Sequence, residues 1–114
     1  MKANRLVETI SWLPHPTATC ARIKSMISLK EHKLDVTCML VDNPAGTDIP
    51  EHIYEIQDDK LYPLHGKGVM WVDGDGDIAL EHGMIVKVPK GTKHKTTDVT
   101  EDLLLYDVFC PALM

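Results

Sequence analysis

Gly83-Met84-Ile85-Val86-Lys87-Val88-Pro89-Lys90-Gly91-Thr92-Lys93-His94-Lys95-Thr96-Thr97-Asp98 is the stretch on which the fold turns. Met84 to Val88 reads as a short strand. Pro89-Lys90-Gly91-Thr92 follows as a turn, because Pro fixes one backbone dihedral and Gly tolerates the left-handed one. The turn swings His94 to the start of the next strand, facing inward. Working outward, the same punctuation recurs along the chain, with seven Gly and seven Pro at short intervals. Ala21 to Leu29 alternates, with Ile23, Ile27 and Leu29 on one face and Arg22, Lys24 and Ser28 on the other. In Lys33 to Val41, Leu34, Val36, Cys38 and Leu40 share a face. Period-two alternation marks half-buried strands. Ile49 to Ile56, Lys60 to Leu64, Gly68 to Val72, Asp77 to Leu80 and Leu103 to Phe109 are further candidates. Many short strands between turn signals predict an all-β sandwich or barrel.

The one helical candidate is Ala3 to Leu13, where Leu6, Ile10 and Leu13 recur at helical spacing before Pro14-His15-Pro16. The alternative is an extended N-terminal arm over residues 1–19. The 114 residues make 12.8 kDa, the length of one domain. Hydrophobic residues at 44% and charged residues at 25% argue for a packed globule rather than disorder. A net charge of -5 leaves no electrostatic footprint for nucleic acid. No apolar run approaches the ~20 residues of a spanning helix, so no membrane insertion is expected. The start lacks the apolar core of a signal peptide, and three cysteines without CxxC spacing suggest reduced thiols in the cytoplasm.

Gly83, Pro89, Gly91 and His94 meet the spacing of the second sequence motif of the cupin superfamily, G(X)5PXG(X)2H(X)3N, with Asp98 in the place of Asn. The first motif, G(X)5HXH(X)3-4E(X)6G, is met in spacing by Gly46, His52, Tyr54, Asp59 and Gly66, with Tyr54 replacing a histidine and Asp59 replacing the glutamate. The chain therefore resembles a small single-domain cupin with a degenerate first motif, its motif core covering residues 46–98. Asp107-Val108-Phe109-Cys110-Pro111 is similar to the close of small cupins linked to pectin degradation. The resemblance implies a jelly-roll β-barrel, the double-stranded β-helix, that pairs as a homodimer. In that setting Gly66 and Gly68 suit a tight strand-to-strand turn. His52 and Tyr54, two apart on a strand, point to one face.

The barrel would bring His52, Tyr54, Asp59 and His94 together as a metal site. Two imidazoles and a carboxylate hold divalent first-row metals and leave positions open for substrate. Iron, manganese, nickel and zinc all suit that set. Cupins that bind metal usually use three histidines and a glutamate, so the site here is weaker or vacant. Tyr54 either ligates as a phenolate or hydrogen-bonds a neighbouring group. Asp58 rivals Asp59 under a one-residue register change, and Glu55 does so under a shorter motif spacing. His65 lies between turn residues and faces solvent, and His15, His32 and His82 have no partner at ligand spacing. Asp73-Gly74-Asp75-Gly76-Asp77 lacks the Gly and Glu of an EF-hand and reads as a hairpin turn. Lys87, Lys90, Lys93 and Lys95 form either a solvated rim or an anion-attracting mouth.

The expected function is a metal-dependent enzyme acting on a small polar or anionic substrate. The alternatives are a small-molecule-binding or sensor cupin without chemistry, and a barrel that only dimerises.

Overall fold

A computed structural model describes residues 2–114 and has eight strands in one antiparallel system. In chain order they are β1 (Leu13–Pro14), β2 (Arg22–Ile27), β3 (Thr37–Asn43), β4 (Ile49–His52), β5 (Asp58–Val72), β6 (Gly76–Leu80), β7 (Val86–Val88) and β8 (His94–Cys110). Two of them, β5 and β8, are long enough to serve both layers. The C-terminal half of β8 pairs with β3 and with the first half of β5, from Asp58↔Cys110 to Pro63↔Leu105. Its N-terminal half pairs with β4 and with the end of β5, where Val72 lies opposite His94. The larger layer is thus β1-β2-β3-β8-β5-β7, and the smaller is β4-β8-β5-β6. Side chains that alternate inward from both layers make the core, with Leu61, Val72, Leu103, Leu105 and Phe109 buried between them. This is the expected all-β jelly roll.

The bend that lets β5 change layers sits at Leu64-His65-Gly66-Lys67-Gly68. In sequence this stretch reads as a turn between two strands, but β5 runs through it as one strand of 15 residues with repeated register shifts against β8. Gly66 has φ +95°, and a Cβ there would fall on the Asp102 carbonyl oxygen. Glycine is required by this close approach inside a bulge, not by a reversal of the chain. Bulges bend and twist a strand without ending it, which curls an open sheet into a barrel.

Elsewhere the elements differ in extent from the sequence expectation. Of the two readings of the N-terminus, the helix over Ala3 to Leu13 does not form, and only a 3-10 turn appears at Val7–Thr9 before Leu13 enters β1. The strand expected over Ala21 to Leu29 stops at Ile27, because the Ser28 hydroxyl accepts from the Glu31 amide and caps one helical turn, Leu29–His32. Lys33 closes that turn at φ 62°, so the next strand begins at Thr37. Its inward face carries Thr37, Met39, Val41 and Asn43, while Val36, Cys38 and Leu40 lie half-buried outside. Both faces of β3 are apolar, and alternation alone could not orient it.

The N-terminal segment lies against β2. Trp12 is flanked by the Arg22 guanidinium at 4.7 Å and the Lys24 ammonium at 4.6 Å, and Lys24 Nζ also donates to the Val7 carbonyl at 3.1 Å. No helix among the described residues is long and apolar enough to cross a membrane.

Candidate functional site

The turn after β7 builds the centre of the site. Gly91 takes φ +76° and donates its amide to the Tyr54 carbonyl at 2.7 Å, while Thr92 closes the turn onto Pro89. Asp58 Oδ1 accepts from the Lys90 amide at 2.9 Å, so Asp58 is a turn anchor on the outside. Asp59 takes the inward face, 3% exposed, which settles the register question in its favour. Glu55 is exposed and lies apart from the cavity wall. His94, 1% exposed, opens β8 directly opposite His52 of β4.

His52, Tyr54, Asp59 and His94 all line one cavity of about 300 Å³ between the layers. Most of the remaining wall is apolar, with Ile23, Val41, Leu61, Leu105 and Phe109 among its residues. The imidazoles of His52 and His94 lie with ring centroids 3.9 Å apart, and the Tyr54 ring sits 5.2 Å from the first and 5.6 Å from the second. Each histidine of the pair donates Nδ1–H to a backbone carbonyl, His52 to Pro50 at 2.8 Å and His94 to Thr92 at 3.1 Å. A carbonyl can only accept, so the proton is on Nδ1 and the neutral ring keeps a lone pair on Nε2. His94 Nε2 is buried and has no protein partner. Burial, and then the neighbouring His52, lower the His94 pKa to about 4, so this ring is neutral at pH 7.

Asp107 was not among the sequence candidates. It projects inward from β8 two residue pairs along from Asp59, in the register Leu61↔Asp107 and Asp59↔Phe109, and is 5% exposed. The two carboxyls are neighbours, and each shifts the other's titration. Burial raises both: Asp59 is pushed up to about 7, and Asp107 well above the usual carboxylate range by burial and by Asp59. Neither Oδ1 accepts from a protein N–H or hydroxyl. The signal that would have found Asp107 is its place in Leu103, Leu105, Asp107, Phe109, a carboxyl on the inward face of an alternating strand.

His15 was also missed. It lines the rim of the cavity with Pro16 and Thr17, brought there by the fold of the segment before β2, where His15 N–H donates to the Ala21 carbonyl. Its Nδ1 accepts from the Thr17 and Ala18 amides at 3.1 and 3.0 Å, which places its proton on Nε2. No spacing rule links His15 to His52, since only the tertiary fold brings both to the one cavity. The other histidines lie away from the cavity: His65 donates to the Asp102 carbonyl, His82 packs edge-on to Tyr62, and His32 lies beside Arg5 and Glu31. Lys87, Lys90, Lys93 and Lys95 are exposed and none lines the cavity, which leaves them as a solvated rim.

The expected metal set is present only in part. The His52–His94 pair, with both Nδ1 atoms tied to carbonyls, has the orientation that metal-binding imidazoles adopt. The third donor is not with them: among the described residues no three His, Cys, Asp or Glu side chains converge so as to hold a metal. Asp59 turns to Asp107 instead. The Tyr54 phenol is raised by burial and then by Asp59 and Asp107, which keeps it protonated rather than a phenolate donor. These residues do not fit the set of two histidines and a carboxylate.

No protein-family model matches the chain, and no curated protein matches its sequence. Solved structures do. Ectoine synthase from P. lautus aligns with a TM-score of 0.84 at 18% identity, covering 99% of this chain and 80% of its own. A predicted oxalate decarboxylase from Thermotoga maritima aligns at 0.81 and 17%, covering 93% and 96%. KdgF from Halomonas sp. aligns at 0.77 and 21%, covering 93% and 92%.

Proposed function

The chain has the cupin fold, and from that premise we propose that it is a small-molecule-binding cupin whose ligand enters the barrel past His15. The cavity carries this reading. Its volume of about 300 Å³ is roughly twice the ~150 Å³ of an engineered cavity that admits benzene, and it combines an apolar body with a few convergent polar groups. An apolar wall suits a compact molecule with a hydrocarbon portion, which narrows the polar or anionic substrate expected from sequence. The buried carboxyl pair and the neutral His94 are also groups with which such a site could move protons, so catalysis on the bound molecule is compatible with the same geometry.

The test uses the methionines. Met39, Met70 and Met114 line the cavity, whereas Met26 and Met84 do not. With methyl-labelled methionine, titration with benzene or cyclohexanol is expected to move the Met39 and Met70 signals saturably and leave Met26 in place. Absence of any saturable shift at Met39 and Met70 contradicts the reading.

A second reading keeps a divalent metal, supported by the Nδ1 anchoring of His52 and His94 and the unpartnered Nε2 of His94. Two imidazoles would retain iron, manganese, nickel or zinc only with donors from the bound molecule. Elemental analysis beside His94→Ala distinguishes it: near-stoichiometric metal lost in the variant favours the second reading.

The reading includes a homodimer in a reducing, cytoplasmic setting. Leu40, Tyr62, Tyr106 and Val108 stand side by side, half-buried, on the outer face of the larger layer, and the three cysteines are free. Sedimentation equilibrium tests the pairing.

A further inference from the structure

The polar groups in the cavity are not a balanced mixture. Asp59 Oδ1 and Asp107 Oδ1 are buried acceptors without partners, and so is His94 Nε2. His52 stands beside them with its Nδ1 on the Pro50 carbonyl. The protein donors that line the same space are the Tyr54 and Thr96 hydroxyls and, at the rim, the Nε2–H of His15 with the Thr17 hydroxyl. The ion pairs among the described residues are Arg5–Glu31, Arg22–Asp42 and His32–Glu31, so neither Asp59 nor Asp107 has a cation as partner. Buried acceptors that lack donors are costly, and buried carboxyls without a countercharge more so.

Resting on the small-molecule reading above, we infer that the polar end of the cavity is a subsite for a small organic cation, a primary ammonium carried on an apolar body. An ammonium offers three N–H donors, no acceptor and one positive charge. It supplies what Asp59, Asp107 and His94 lack, while its hydrocarbon portion meets Ile23, Val41 and Leu105. A carboxylate or phosphate would meet two acid side chains and the acceptor nitrogen of His94. A neutral alcohol has one donor and no charge, and leaves most of the acceptors unpaired.

The test compares three probes of one shape, cyclohexylammonium, cyclohexanol and cyclohexanecarboxylate, by calorimetry at pH 7 with the Met39 and Met70 methyl signals as the location readout. Cyclohexylammonium is expected to bind at least tenfold tighter than cyclohexanol, and the carboxylate not at all. Asp107→Asn, with Asp59→Asn as the second variant should the first not fold, is expected to remove that advantage. If cyclohexanol or the carboxylate binds as tightly as the ammonium, or if a folded variant keeps the advantage, the cation subsite is overturned. When cyclohexanol moves the methyls and the ammonium does not, the subsite falls and the small-molecule reading stands. When no probe moves them, both fall.

Discussion

His52 and His94 face one another across the β4–β8 ladder with ring centroids 3.9 Å apart, each held by Nδ1 on a carbonyl of its own strand or turn. Two rings so close and so anchored act as one acceptor surface. The consequences of burying one of them are measurable.

His94 has a folded pKa near 4 against an ordinary 6.5. Between these values the unfolded chain binds the extra proton, so this ring makes stability rise with pH through that window. Asp59 and Asp107 act oppositely: raised carboxyls hold protons that the unfolded chain releases, so stability falls as pH rises above the ordinary carboxylate range, for Asp59 through about 7. His94→Gln isolates the first effect. In urea titrations the parent should gain up to about 3 kcal/mol over the variant between pH 4 and 6.5. A constant difference across that range contradicts the buried neutral ring.

Gly66→Ala should cost more than about 2 kcal/mol, since it adds a Cβ onto the Asp102 carbonyl at φ +95°. Gly74→Ala, at φ +92° with open space around it, should cost only about 1 kcal/mol of backbone strain. Equal losses in chemical denaturation would refute the bulge as the reason for glycine at position 66.

Leu103 is fully buried and lies off the cavity wall. Leu103→Ala should therefore cost about 2–5 kcal/mol and leave probe binding at Met39 and Met70 unchanged. Loss of binding in a folded Leu103→Ala protein would show that the cavity is not locally defined.

Trp12 pins the segment that carries His15 between Arg22 and Lys24. Trp12→Ala should speed hydrogen exchange at the Thr17 and Ala18 amides, which His15 Nδ1 accepts, without altering exchange at Leu105 in β8. Unchanged protection at Thr17 and Ala18 would detach the arm from the rim.

Much of this architecture was legible in the chain because turns and alternation are local. Pro89-Lys90-Gly91-Thr92 delivers His94 inward as its dihedrals require, and His52, Tyr54 and Asp59 reach the same cavity. What escaped depends on tertiary contact. Gly66 reads as a turn in isolation, and only the neighbouring β8 backbone makes it a bulge. Asp107 and His15 have no spacing relation to the motif residues, since one pairs across strands and the other arrives through a folded-back arm. The carboxylate expected beside the two histidines is drawn away by Asp107, a partner that no motif names.

The cavity presents acceptors inward, and long-range proton–nitrogen correlation of the imidazole rings at pH 7 reads this from the tautomers. A protonated Nδ1 with a bare Nε2 is expected for His94, and the reverse tautomer for His15. A proton on His94 Nε2 would make the cavity a donor site and overturn its acceptor character.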